Sequence, residues 1–254
     1  MSDMEVNHFF STPVFMLMDN HYERFKEPLL KEVYDWREES LKDDKGVIRS
    51  NQGGWHSESH IFKRQTPAIK RLNTLMVNTF NQCTQNIAPS FDITNKVLKG
   101  EGWVNVNKKG DYNVPHDHPG YTWSGVYYLL CESPEVKDIH HRHGCIEFLD
   151  PRTSVSAFSP ELASKTEYFS PKKTLYPRPG MILVFPSYLR HWVYPAGDDN
   201  DRITFAFNFK YQIQAEEVLA STAQGVTSQK PSKVVLPNKN PNKGPAPKKR
   251  KRQK

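Results

Sequence analysis

Nowhere in its 254 residues does the chain hold an apolar run long enough to cross a membrane, and Met1–Asn7 carries acids where a secretion signal would carry a basic segment. Neither a membrane association nor an exported precursor is expected. Cysteine is scarce: Cys83, Cys131 and Cys145 are the whole complement, at spacings that match no zinc ribbon or finger. An odd number of thiols without an export signal is expected to stay reduced, in an intracellular setting. Apolar residues make up only 37% of the chain, but they concentrate between about residues 100 and 212. The low average therefore reflects a polar tail and not a missing core.

Acids are absent from the end of the chain. Val218–Lys254 holds ten Lys/Arg and no Asp/Glu, whereas the remaining 25 basic residues are outnumbered by 28 acidic ones. The formal net charge of +7 thus belongs to the tail, and the body is mildly acidic. Residues 221–254, rich in Ser, Gln, Gly, Pro, Asn and Lys, cannot bury enough surface to offset chain entropy and are expected to be disordered.

Upstream, Phe9–Met18 reads as an edge strand, because Pro13 removes one ladder donor. A helix capped by Asp19 or Asn20 is expected to run to about Lys42, with Leu29, Leu30, Val33, Tyr34 and Trp36 at helical spacing. Thr66-Pro67 opens a second helix with Ile69, Leu72, Leu75, Met76 and Phe80 along one stripe. From Ile93 onward the pattern becomes short strands separated by turn signals. The candidates are Lys96–Lys99, Gly102–Asn107, Asn113–His118, Trp123–Cys131, Cys145–Leu149, Thr174–Tyr176, Met181–Phe185, Trp192–Tyr194 and Ile203–Tyr211. So many short strands predict a mainly β jelly roll, a double-stranded β-helix, with the two N-terminal helices buttressing one face. Three parts are expected: 1–94 as a strand and helices on the barrel, 95–212 as the β core, and 221–254 as the basic tail.

Within that core, His116-Asp117-His118-Pro119 is followed by His191 and Arg202. Residues two apart on a strand face the same side, so His116 and His118 can share one metal ion, with His191 arriving from a distant strand. Three such ligands on one side of an ion leave positions for a chelating co-substrate and O2, the construction of non-haem Fe(II) oxygenase sites. Alternation on the last strand puts Arg202, Thr204 and Ala206 on one face, with Ile203, Phe205 and Phe207 on the other. If the backbone bulges at the triplet, Asp117 becomes the alternative second ligand to His118. Trp103, Asn105 and Trp192 are further candidates for the pocket wall, and the loop holding Trp55 and His56 for a lid or a structural loop. His140-His141-Arg142-His143 reads as a solvated loop cluster.

The chain resembles the Fe(II)/2-oxoglutarate-dependent oxygenases, in particular a prolyl-hydroxylase-like branch of bacterial and phage type. The resemblance rests on Ser50-Asn51-Gln52-Gly53-Gly54-Trp55, His116-x-His118-Pro119, Ser124-Gly125-Val126-Tyr127-Tyr128-Leu129, Pro179-Gly180 with Phe185-Pro186, His191, and Arg202-x-Thr204 ending in Phe207-Asn208. It implies Fe(II) held by His116, His118 and His191. It also implies 2-oxoglutarate as co-substrate, its far carboxylate paired with Arg202 and assisted by Thr204 and Tyr128. O2 would then be consumed, with release of succinate and CO2, in the hydroxylation of a C–H bond. Most relatives place a carboxylate where this chain has His118, which leaves the triad neutral. The substrate implied is a peptide, a small metabolite or a nucleic acid.

Two other functions fit parts of the sequence. A cupin-like three-histidine dioxygenase would need no keto acid, and a non-catalytic β-barrel binding module with a nucleic-acid-binding tail would need no iron. The run Pro247-Lys248-Lys249-Arg250-Lys251-Arg252 suits weak nucleic-acid binding through residues 230–254, nuclear import in a eukaryotic source, or simple solubility. If the tail binds polyanions, deleting the residues after Ala220 abolishes retention on heparin and spares turnover; unchanged retention would refute tail-driven binding.

Overall fold

The structure is a computed structural model and describes residues 10–42, 46–94, 96–132, 142–152, 161, 165–166, 170–197 and 199–212. The basic tail, with its expected disorder, lies outside the described residues, as do His140 and His141.

In chain order the elements are β1 (Phe15–Met18), α1 (Tyr22–Lys42), β2 (Asn51–Gln52), β3 (Trp55–His56) and α2 (Pro67–Ile87). There follow β4 (Val97–Asn107), β5 (Tyr112–His116), β6 (Trp123–Leu130), β7 (Ile146–Leu149) and β8 (Lys172–Leu175). β9 (Met181–Pro186), β10 (His191–Val193) and β11 (Arg202–Gln212) complete the described elements. A six-stranded sheet runs β1-β9-β6-β11-β4-β3 and a five-stranded sheet runs β2-β5-β10-β7-β8, with antiparallel pairing throughout. This is the expected double-stranded β-helix.

Two apolar layers hold it together. Leu29, Val33 and Trp36 of α1 and Ile69, Leu72, Met76 and Phe80 of α2 meet the outer face of the larger sheet, where Phe205, Phe207 and Phe209 project. Both helices thus bury the stripe that their spacing predicts, except that Tyr34 stays on the exposed side and bonds Asp201. Between the sheets, Val126, Tyr128, Phe148, Leu183 and Phe185 form a second, smaller cluster.

Several boundaries differ from the sequence reading for physical reasons. Lys96–Lys99 and Gly102–Asn107 form one strand, because β11 pairs with β4 without interruption from Arg202↔Asn107 to Gln212↔Val97. The strands β2 and β3 are two residues each, too short for any periodicity to reveal. Their connecting turn needs Gly53 and Gly54, both at positive φ. A Cβ at Gly53 would meet the Asp111 carboxylate oxygen at 2.0 Å, and one at Gly54 the Val106 carbonyl at 2.7 Å.

One buried polar knot ties the layers. Asp19 lies between β1 and α1, accepts the His21 amide at 2.9 Å, and pairs through both oxygens with Arg71 of α2. Tyr127 of β6 donates its hydroxyl to the same carboxylate at 3.2 Å. Burial pushes the Asp19 carboxyl up, but Arg71, the His21 amide and the Tyr127 hydroxyl together hold it below its ordinary 3.8. A carboxyl lowered by folding stabilises the protein above its unfolded pKa, and that contribution fades as pH falls through the folded value. Asp19→Asn is expected to cost about 3 kcal/mol at neutral pH and to flatten the acid limb of stability, as read by urea denaturation from neutral pH to about pH 3.

Candidate metal centre

The histidine pair reaches its place by a route that strand alternation alone does not describe. β5 ends at His116, and His118 lies just beyond it, where its amide donates to the Ser187 carbonyl at 2.9 Å. His116 and His191 are direct cross-strand neighbours on β5 and β10. The ring centroids of His116 stand 5.0 Å from His118 and 4.4 Å from His191, and those of His118 and His191 are 5.3 Å apart. One nitrogen from each of the three lies within 4.8 Å of the others, an arrangement that can hold a metal ion. Asp117 is exposed and is not part of this group.

Backbone carbonyls orient two of the rings. His116 Nδ1–H donates to the Val114 carbonyl at 2.7 Å and His191 Nδ1–H to the Leu189 carbonyl at 2.8 Å. Each bond selects the tautomer that leaves Nε2 as a lone-pair donor. Burial and the neighbouring His116 push His118 down to about 4, and burial lowers His116 as well. Burial, with His116 and His118 beside it, takes His191 well below its usual range. All three are neutral at physiological pH, the state in which imidazole binds a metal. Phe148 and Phe185 pack around His191, with ring centroids 5.9 and 4.7 Å away.

Deeper in the same cleft, β11 supplies Arg202 and Thr204, only 4% and 2% exposed, while Ile203 and Phe205 enter the opposite core. Tyr128 lines the cleft beside Thr204, its partner in the β6–β11 ladder, and Tyr127 faces the helices. The Arg202 guanidinium stands 5.5 Å from the Tyr128 ring centroid. Burial pushes the Tyr128 phenol up, so it is a proton donor. Arg202 Nε and the Tyr128 hydroxyl are buried without a hydrogen-bond partner, and Arg202 has no carboxylate partner among the described residues. A buried guanidinium without a counter-ion is costly, so this end of the cleft is built for an anion. Lone-pair nitrogens at one point and unmatched cationic and phenolic donors at another suit a metal ion and an acidic chelator.

The sequence-level candidates fall out unevenly. Trp103 and Asn105 line the cleft, whereas Trp192 turns away beside Tyr194. His56 is 4% exposed and stacks on Trp103 at 5.4 Å, so it is a buried wall residue. Arg142 bonds Glu147 and Tyr194, which is a structural role. The three cysteines are free thiols. Glu101, bonded by Asn208 at 3.0 Å at the mouth of the cleft, is not marked by any sequence motif. Continuing the alternation of Trp103 and Asn105 along β4 by one step reaches it, opposite Asn208.

Residues 101–208 match the family model described as putative 2OG-Fe(II) oxygenase. No curated protein sequence matches the chain. Among solved structures, a Pseudomonas putida prolyl-4-hydroxylase is 13% identical, with 80% of this chain and 95% of that one covered and a TM-score of 0.51. A Trichoplax adhaerens prolyl hydroxylase in complex with a hypoxia inducible factor peptide fragment is 14% identical, covers 84% of this chain and 87% of that one, and has a TM-score of 0.50. An α-ketoglutarate-dependent epimerase from nogalamycin biosynthesis has the same TM-score of 0.50 at 13% identity, with 78% of each chain covered. At such identities these likenesses speak to the fold alone. The matched segment contains the histidine triad, Tyr128, Arg202 and Thr204, so over this core the chain is similar to the putative 2OG-Fe(II) oxygenases.

Proposed function

We propose that the protein hydroxylates a C–H bond of its substrate, with His116, His118 and His191 as Fe(II) ligands. In this reading Arg202, Thr204 and Tyr128 receive the far carboxylate of 2-oxoglutarate. The observation that carries it is the buried Arg202 guanidinium, which lacks a carboxylate partner among the described residues and shares a cleft with the triad.

When bound, Fe(II) with 2-oxoglutarate and O2 supplies a two-electron oxidation in which one oxygen atom enters the substrate and the other leaves in succinate, with CO2 released. The chain's own residues bind, orient and shield. The Val114 and Leu189 carbonyls hold two imidazoles in the ligating tautomer. Arg202 sets the direction of a dicarboxylate by a paired, charge-assisted contact, and Thr204 and Tyr128 hold hydroxyls beside it. Phe148 and Phe185 keep water from the His191 side of the triad. A cupin-like dioxygenase without a keto acid would share the triad but leave Arg202 unexplained. A peptide, a small metabolite and a nucleic acid all remain compatible with this chemistry.

The test separates metal from co-substrate. His191→Ala should lose Fe(II) and succinate formation together. Arg202→Ala should keep Fe(II) but raise the KM for 2-oxoglutarate roughly 10- to 100-fold, the worth of a charge-assisted pair. Iron-replete protein that neither binds nor consumes 2-oxoglutarate would overturn the proposal.

A further inference from the structure

The cleft has a second end. Six residues along β11 from Arg202, about 20 Å away at a strand's rise, Asn208 stands opposite Glu101 of β4. Asn208 is 1% exposed and donates from Nδ2 to Glu101 Oε1 at 3.0 Å, while Ser124 Oγ–H donates to Asn208 Oδ1 at 2.7 Å. Burial first, and then the nearby Glu101 carboxylate, raise the Tyr121 phenol above its ordinary range. A solvated surface acid needs no such buried bracing. This one is aimed.

Glu101 lines an outer cavity of about 310 Å3, together with His56, Trp103 and His116–His118. Its wall is rich in acceptors. His56 Nδ1–H is committed to the Ser57 carbonyl at 2.6 Å, and burial lowers the ring's pKa, so Nε2 is left as a neutral lone pair. Asn105, on the same face of β4, lines the inner cleft and not this cavity, and has a buried Oδ1 without a partner. The exposed Asp117 adds a second carboxylate. Between these acceptors stands the Trp103 indole, held by stacking on His56 and tilted against His118 at 5.9 Å. Arg49 is the single cation among the described lining residues, against two carboxylates. Lys210, next on this face of β11, has its ammonium 5.3 Å from the Tyr121 ring centroid and does not line the cavity.

We propose that the mouth of the cleft binds an organic cation, an alkylammonium or guanidinium group of the primary substrate, between the Glu101 carboxylate and the Trp103 ring. Carboxylate and indole are complementary to such a group by charge pairing and by the ring quadrupole. The inference rests on the proposed function, since it takes His116 and His118 as the metal side of the same cavity. Arg202 and Glu101 then divide the cleft by charge: the anionic co-substrate at one end, the cationic substrate at the other.

The experiment uses the full-length protein loaded anaerobically with Fe(II) and 2-oxoglutarate. L-Lysine, putrescine and a short lysine-containing peptide are titrated as three sources of the cation, with norleucine, butanol and the acetylated peptide as neutral counterparts. Calorimetry and the metal-to-ligand absorption band report binding. At least one cation is expected to bind and its neutral counterpart to bind more than tenfold more weakly, and which cation binds identifies the source. Glu101→Gln keeps an oxygen for the Asn208 bond, so its melting temperature should hold. It should weaken the cation roughly 10- to 100-fold and leave 2-oxoglutarate affinity unchanged. Equal binding of cation and counterpart, indifference to Glu101→Gln, or no cation binding while 2-oxoglutarate binds would each overturn the cation site. Failure of the wild-type protein to bind 2-oxoglutarate would instead overturn the proposed function.

Discussion

The uninterrupted register between β4 and β11 is the constraint on which the cleft depends, because it decides which residues of both strands face inward. Arg202, Thr204 and Asn208 stand opposite Asn107, Asn105 and Glu101, and Ile203, Phe205 and Phe207 with Val104 and Val106 enter the core under the helices. A slip of one residue would drive Phe205 and Phe207 into the cleft and an arginine into the core. The cost of burying that guanidinium against phenylalanine, together with the loss of aromatic packing, excludes the slipped pairing. The same apolar set that holds the helices on the sheet therefore also aims the polar set.

A local irregularity refines this pattern. Ile203 pairs with Leu130 and Thr204 with Tyr128, so one residue of β6, Leu129, is left over. A bulge of this kind lets Leu129 and Leu130 both meet the helix-side core, where simple alternation would have sent Leu130 toward the cleft. It also leaves Tyr128 beside Thr204, with its hydroxyl in the cleft and its neighbour Tyr127 bound to Asp19. The structural knot at Asp19 and the buried Arg202 are thus linked through two adjacent tyrosines on opposite faces of one strand.

What was legible in the sequence follows from the range over which each signal acts. The α1 and α2 stripes and the alternation of β11 are local and strong, and they were readable residue by residue. The triad was readable as residue types in order, but not the means by which His118 is held. Its amide is fixed by Ser187, a contact between segments about 70 residues apart that no periodicity encodes. The two-residue strands β2 and β3, the stacking of His56 on Trp103 and the bracing of Glu101 by Asn208 are likewise long-range pairings. They exist because other strands are already in place.

The neutral triad changes the charge balance that the cleft must meet. With a carboxylate in the place of His118, part of the metal's charge would be cancelled by the ligand set itself. Three imidazoles cancel none of it, and Arg202 adds another positive charge at the buried end. In the proposed complex a dicarboxylate co-substrate offsets much of this excess, which ties metal affinity to co-substrate affinity more closely than in a site with an acidic ligand. The remaining negative groups, Glu101 and the outward Asp117, lie on the solvent side of the triad. They are placed where they can lower the potential felt by an arriving cation without competing for the metal, since neither belongs to the cluster of converging ligand atoms. In the proposed complex the carboxylates stand not in the ligand set but at the mouth, where they would act on the substrate's charge and leave the metal's uncancelled.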